Sequence, residues 1–344
     1  MIVAFCNPLI DAVIPVEESF LEKWGLKNDD AILANESFQP LINQVVSNPD
    51  AFMTPGGAGQ NTLSMAQWMM QEKGTTIMVG SVGPDSNKNL LEGMMNKNGV
   101  RCLYQQLEGK NTGCCAILCC NNNRSIVASV AASGCFSFEK WDNQETLNAV
   151  KNAKAVFMST FFLRSSDKTG LAVAAECVAR NIPLAINLSS PNAIDSEAWP
   201  TLKQIIRVSS LVFGNEVEFI ALGKKIGVVK ESQTQSSINM KELAKSIANY
   251  QTCGIKRTVV LTMGSEPTIA CQAECEPITS EIIPIEPSQI IDTNGAGDAY
   301  AGGFLSQYIF GKPLAHCLKA GAYAAWCILK QRGALIPSYK PTFQ

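Results

Sequence analysis

From about residue 154 onward, uninterrupted apolar runs alternate with amphipathic segments, and few architectures accept that pattern. Ala155-Val156-Phe157-Met158, Leu184-Ala185-Ile186, Leu211-Val212-Phe213 and Thr258-Val259-Val260-Leu261 are the runs, and an Ala-rich segment spans Gly170 to Arg180. A strand that is apolar on both faces must be covered on both faces. The alternation therefore predicts an α/β fold with a mostly parallel central sheet and helices on either side. A last helix is predicted from near Pro313, with Leu314, Cys317, Leu318, Gly321, Ala325 and Ile328 on one stripe. Proline suits its first turn.

Two segments fit this alternation poorly. Residues 9–55 and about 102–132 hold short strand-like pieces with polar alternation, such as Arg124-Ser125-Ile126-Val127-Ala128-Ser129-Val130. Alternation of that kind suits a sheet with one wet face. They are expected to form a small β-rich lid, leaving 1–8, 56–101 and 133–344 as the large domain. An extension of the central sheet is the alternative, and the sequence leaves both open.

Composition narrows the classes. With 344 residues, 46% of them hydrophobic and 17% charged, the chain can bury a core larger than one small domain needs. A formal charge of −2 gives no footprint for nucleic acid or an acidic membrane. Met1 to Cys6 lacks a basic flank and reads as a first strand. No apolar stretch approaches the roughly 18 residues of a membrane span. A soluble, cytoplasmic protein is expected. Thirteen cysteines without a Cys-x-x-Cys, and a single histidine, weaken disulfide, zinc and Ser-His-Asp chemistries. His316 is expected on the surface of the last helix.

The string that carries chemistry is Asp292-Thr293-Asn294-Gly295-Ala296-Gly297-Asp298. Ala301, Phe304, Leu305 and Tyr308 then share a helical face, so a helix should begin within the glycines. Open N–H groups at a helix start form an anion site. A carboxylate at Asp298 repels a phosphate, but makes sense as the acceptor of a proton from a hydroxyl attacking one. A second glycine cluster, Gly56-Gly57-Ala58-Gly59-Gln60-Asn61, precedes another predicted helix. No G-x-x-x-x-G-K-[ST] occurs, so a Walker-type loop is absent.

Both clusters together resemble the signature regions of the ribokinase-like, PfkB-type carbohydrate and nucleoside kinases. Asn7-Pro8-Leu9-Ile10-Asp11, Ala66-Gln67-Trp68-Met69, Asn123-Arg124-Ser125, Phe161-Phe162-Leu163, Asn187-Leu188-Ser189 and Phe213-Gly214-Asn215-Glu216 extend the likeness along nearly the whole chain. Within the family they resemble its adenosine kinase branch. The resemblance implies ATP as phosphate donor, adenosine as acceptor at the ribose 5′-hydroxyl, magnesium, and a monomer.

It also implies roles. Asp298 would be the general base. Gly295, Ala296 and Gly297 would offer amides to the phosphoryl group, and Arg124 would clamp it from the lid. Asp11 would accept the ribose 2′- and 3′-hydroxyls, with Asn7, Leu9, Gly57, Ala58 and Asn61 completing the sugar site. Phe162 would stack on the base against Leu33, Ile126 and Val130. Asn215 and Glu218 would organise magnesium, Glu218 through water. Thr262, Gly264 and Asn294 would contact the nucleotide, and Asp292 would help a potassium site. Ala31, Asn192 and Ala322 depart from residues the family can carry near the two bases. Another purine nucleoside, or a sugar, is the alternative substrate.

Overall fold

A computed structural model describes residues 1–28, 31–120 and 123–343. The apolar runs form a nine-stranded sheet. Its order is β14 (Ile278–Ser280), β13 (Glu266–Gln272), β12 (Thr258–Met263), β11 (Leu211–Asn215), β10 (Leu184–Asn187), β9 (Ala155–Ser159), β1 (Ile2–Phe5), β5 (Thr76–Val82) and β6 (Arg101–Gln106). From β12 to β6 all neighbours are parallel; β13 and β14 add antiparallel at one edge. Alternate side chains feed separate cores, as period two demands. Val3, Phe5, Val156 and Met158 pack on one face, and Ile2, Ala4, Ala155 and Phe157 on the other. Among the described residues no helix is long and apolar enough to cross a membrane.

A second sheet runs β3 (Ala31–Leu33), β8 (Asn123–Ser129), β7 (Cys114–Cys120), β2 (Leu9–Pro15) and β4 (Phe52–Gly56). Its strands come from the two segments that broke the alternation, and they do not extend the first sheet. One face, with Ile10, Ala12, Ile14, Ala116 and Leu118, packs on Leu21, Leu41, Ile42 and Val45. The other carries Leu9, Val13, Cys115, Ile117, Ile126 and Ala128. The expected lid boundary at 102 needs correcting. Residues 102–106 lie in β6, paired in parallel with β5 of the large sheet. A short strand of mixed polarity does not name its partner. His316 also differs from expectation: it is half-buried, its ring 5.1 Å from that of Phe343.

One buried residue escaped the sequence pattern. Arg257, just ahead of β12, is fully buried and donates to the carbonyls of Ile206 (2.6 Å), Ile247 (2.8 Å) and Tyr250 (2.7 Å). These close the C-terminal ends of the helices Trp199–Val208 and Met240–Ala248, where carbonyls lack partners and the dipole favours a cation. Burial pulls its pKa down to about 10, still charged at neutral pH. Arg257→Ala would remove three hydrogen bonds from a charged donor at about 1.5–3 kcal/mol each, leaving the Ile206 and Ile247 carbonyls only the amides of Ser209 and Tyr250. A loss of at least about 3 kcal/mol in the unfolding free energy is expected from denaturant titration. An unchanged midpoint would refute the capping role.

Candidate active site

Between the two sheets lies a cavity of about 900 Å³. Its floor is formed at the carboxyl ends of β1, β9, β10, β11 and β12 by Asn7, Ser159, Asn187, Asn215 and Thr262, with the free face of the small sheet as roof. Open α/β sheets place ligands there. The volume lies at the upper end of what small-molecule sites use, room for more than one nucleoside.

Asp298 sits at the start of the helix Ala296–Tyr308, whose N-cap is Gly295. Gly295 has φ +75°, a left-handed conformation natural to glycine, and a Cβ there would lie 2.8 Å from that of Ala334. No side chain caps this helix. The amides of Gly297 and Asp298 thus have no acceptor within it and lie at the positive end of its dipole. Asn61, near the start of the helix Ala58–Met70, donates Nδ2 to Asp298 Oδ2 at 2.9 Å. Burial pushes the Asp298 carboxyl up to about 7, assisted by the charges of Glu218 and Asp11 and opposed by the Asn61 bond. A carboxyl with that proton affinity can serve as a base near neutrality.

Asp11 belongs to the free face of the small sheet. It stands opposite Cys115 of β7 and Thr54 of β4, so β2 carries it toward the large domain. Gly56 leaves room for it: a Cβ at that position would fall 1.9 Å from Asp11 Oδ1. Burial raises Asp11 to about 7, and a hydrogen bond with Cys115 pulls the other way. Beside it, Asn7 donates Nδ2 to Ser133 O at 2.7 Å. The Asn7 Oδ1 is buried without a partner among the described residues. A buried acceptor left unpaired in a cavity wall calls for a donor from a ligand.

Leu9, Gly57, Ala58, Leu33, Ile126 and Val130 line the cavity as expected of a nucleoside wall. Leu33 is 54% exposed although apolar, because it faces this open space. Phe162 needs correcting. It is fully buried, 6.1 Å from Phe5 and 5.6 Å from Phe136 between ring centroids. Phe161, 42% exposed, lines the cavity instead. The first turn of the helix Thr160–Leu163 sends these neighbours to opposite sides. Gly264 lies outside the cavity lining, past the end of β12, and Ala322 is buried in the helix Leu314–Ile328 away from it. Asn192 does line it; the side chain of Ala31 lies outside the described residues. Cys115 was missed: its only signal is its register with Asp11, a pairing between distant strands.

On the other side of Asp298, Asn294, Gly295, Ala296, Gly297, Asn215, Glu218 and Thr262 share the same cavity. Asn215 and Glu218 form a capping box: Asn215 N donates to Glu218 Oε2 at 2.9 Å, and Glu218 N to Asn215 Oδ1 at 3.0 Å. The carboxylate keeps lone pairs for water, and burial raises its pKa. Arg124 is not in the cavity wall. Its Nη2 lies 2.6 Å from Oδ2 of Asp292, at the turn that leads into Gly295.

Comparison with known proteins agrees with this geometry. Residues 18–341 match the model of the pfkB family carbohydrate kinases. The chain is 32% identical to adenosine kinase 1 of Arabidopsis thaliana over 337 residues, covering 98% of this chain and 96% of that one. It is 32% identical to the adenosine kinase of Dictyostelium discoideum over 342 residues, covering 98% and 97%. Among solved structures it resembles Anopheles gambiae adenosine kinase in complex with P1,P4-di(adenosine-5) tetraphosphate. That likeness has a TM-score of 0.88 and 33% identity, over 98% of this chain and 99% of that one. A Schistosoma mansoni adenosine kinase in complex with 2-fluoroadenosine follows with TM-score 0.87 and 27% identity, over 98% and 97%. The open helix start, two aspartates lining one cavity and a family match over nearly the full length together place this chain in the pfkB family of carbohydrate kinases.

Proposed function

We propose that this chain is an adenosine kinase, moving the γ-phosphoryl group of ATP to the ribose 5′-hydroxyl of adenosine to give AMP and ADP. The observation that carries the proposal is one cavity holding a diol acceptor, Asp11, and a base, Asp298, at an open helix start. Asp11 takes the two secondary hydroxyls through its two oxygens. Asn7 Oδ1 accepts a further donor of the nucleoside. The base packs between Phe161 and the lid residues Leu33, Ile126 and Val130. Asp298 takes the proton of the primary hydroxyl as its oxygen attacks phosphorus in line, and the ADP oxygen leaves. The amides of Gly297 and Asp298 stabilise charge developing on the equatorial oxygens. Arg124 approaches from the lid, and lid closure keeps water from the phosphoryl group.

Thr262 and Asn294 lie on the nucleotide side. A magnesium ion fits the donor set only through phosphates and water. Among the described residues no three His, Cys, Asp or Glu side chains cluster as a cage, and Glu218 with Asn215 can orient its waters. When bound, it would neutralise phosphate charge. Asp292 does not fit as a potassium ligand. Its oxygens already take the amides of Asn294 and Gly333 and the Arg124 guanidinium.

The test is product analysis with adenosine, inosine, guanosine and ribose offered together with ATP and magnesium. AMP should dominate; ribose phosphate as main product would overturn the proposal. The amide of Asn192 in the wall favours some inosine or guanosine turnover.

A pH profile gives a second check. Asp298 must be ionised to act and Asp11 to bind the diol, and both sit near 7. Activity is thus present above that value and lost below it. In kcat/KM for adenosine, each pH unit below about 6 should cost roughly a hundredfold, and about tenfold in Asp11→Asn. A flat profile from pH 5 to 8 would exclude these roles.

A further inference from the structure

We infer that Gln60 is a positioning residue: with its helix neighbour Asn61 it sets the separation between the diol acceptor Asp11 and the base Asp298. Gln60 lies in the helix Ala58–Met70, is fully buried and stays out of the cavity lining. Its Nε2 donates to the carbonyl of Leu9 at 2.8 Å and to that of Gly56. Leu9 and Gly56 face each other as the end rung between β2 and β4. Asp11 stands two residues along β2, and its carboxylate rests against Gly56, which has no Cβ to push it away. The next helix residue, Asn61, donates Nδ2 to Asp298 Oδ2 at 2.9 Å. Two consecutive residues of one helix thus hold both carboxylates, one through the backbone that carries it and one directly.

The residue type suits the task. Two carbonyls facing one buried side chain demand two N–H donors, and among neutral side chains only an amide offers two donors and an acceptor. The remaining oxygen needs a donor of its own, and the Tyr104 hydroxyl supplies it at 2.6 Å. That bond fixes which end of the amide meets the carbonyls. It also anchors the side chain to β6 of the large sheet. A ribose held by its 2′- and 3′-hydroxyls has its 5′-oxygen at a distance that the sugar ring dictates. The gap between Asp11 and Asp298 must match that span, since a misplacement of about 1 Å can cost about a hundredfold in rate.

The ligand in this inference is that of the proposed function, so AMP formation by wild type tests that reading separately. Gln60→Met keeps the length of the side chain but none of its hydrogen bonds, and its kcat should fall about a hundredfold. The adenosine dissociation constant, from calorimetry without ATP, should rise less than about tenfold, because misalignment acts on the transition state more than on binding. Binding should still favour adenosine over 2′-deoxyadenosine, as Asp11 still meets the diol. A merely structural role would lower the unfolding midpoint and leave kcat per folded molecule unchanged. A kcat loss no larger than the rise in the dissociation constant would overturn the inference. Gln60→Asn, its amide one methylene short of the carbonyls, decides by the same comparison should Gln60→Met not fold. A readout without substrate is hydrogen exchange of Ile10 to Ala12 in the unliganded full chain. It should quicken in either variant; unchanged exchange would show that the amide does not hold this rung, and would sink the inference whatever the substrate.

Discussion

Asp298→Asn should lose between about 10² and 10⁴ in turnover while still binding adenosine, the range typical of general-base assistance. The replacement keeps the shape and can still accept the hydrogen bond from Asn61, which now reaches Oδ2 at 2.9 Å. It cannot accept a proton. The helix start and its amides stay in place, because Gly295, not a side chain, caps the helix. Residual activity should therefore stand above the uncatalysed rate, supported by positioning and the anion turn. The acid limb assigned to Asp298 should vanish as well. The measurement is kcat by AMP formation beside an adenosine dissociation constant from calorimetry. Near-normal kcat would remove Asp298 from the chemistry; a lost dissociation constant with a folded protein would show a binding role instead.

How far such a site can be read from sequence depends on whether its signals are local. The Asp292–Asp298 string was legible because two glycines, a helical face behind them and a carboxylate in the first turn lie within a few residues. The β-branched runs were legible because a strand buried on both faces has nowhere to hide polar groups. Partner choice was not. Arg101–Gln106 is a short strand of mixed polarity that pairs with β5, and nothing within six residues states which edge it joins. Phe161 and Phe162 differ by one position on a short helix, enough to exchange a cavity wall for a core. The ion pair of Arg124 with Asp292, and the three carbonyls gathered by Arg257, join segments far apart in the chain. Each is a property of the folded contact, invisible to any window of sequence.

Asp11→Ala should raise the adenosine Michaelis constant by at least about a hundredfold with a smaller change in kcat. Hydrogen bonds to a charged group contribute about 1.5–3 kcal/mol each, and two would be lost to an apolar wall. Alanine truncation at this site does not collapse the sheet, since β2 keeps its backbone pairing with β4 and β7 on either side. The effect belongs to the diol, and substrate analogues can prove it. Wild type should reject 2′-deoxyadenosine strongly, because its absent hydroxyl leaves the carboxylate partly unpaired in a buried site. In Asp11→Ala that discrimination should collapse to within a few fold, since no acceptor remains to tell the two sugars apart. Gly56→Ala offers an independent route to the same end. Its new Cβ would occupy the place of Asp11 Oδ1 and force the carboxylate aside, so discrimination should fall there too, with Asp11 still present. If Asp11→Ala keeps full preference for the ribose diol, the hydroxyls are read elsewhere and the sugar must lie differently in the cavity.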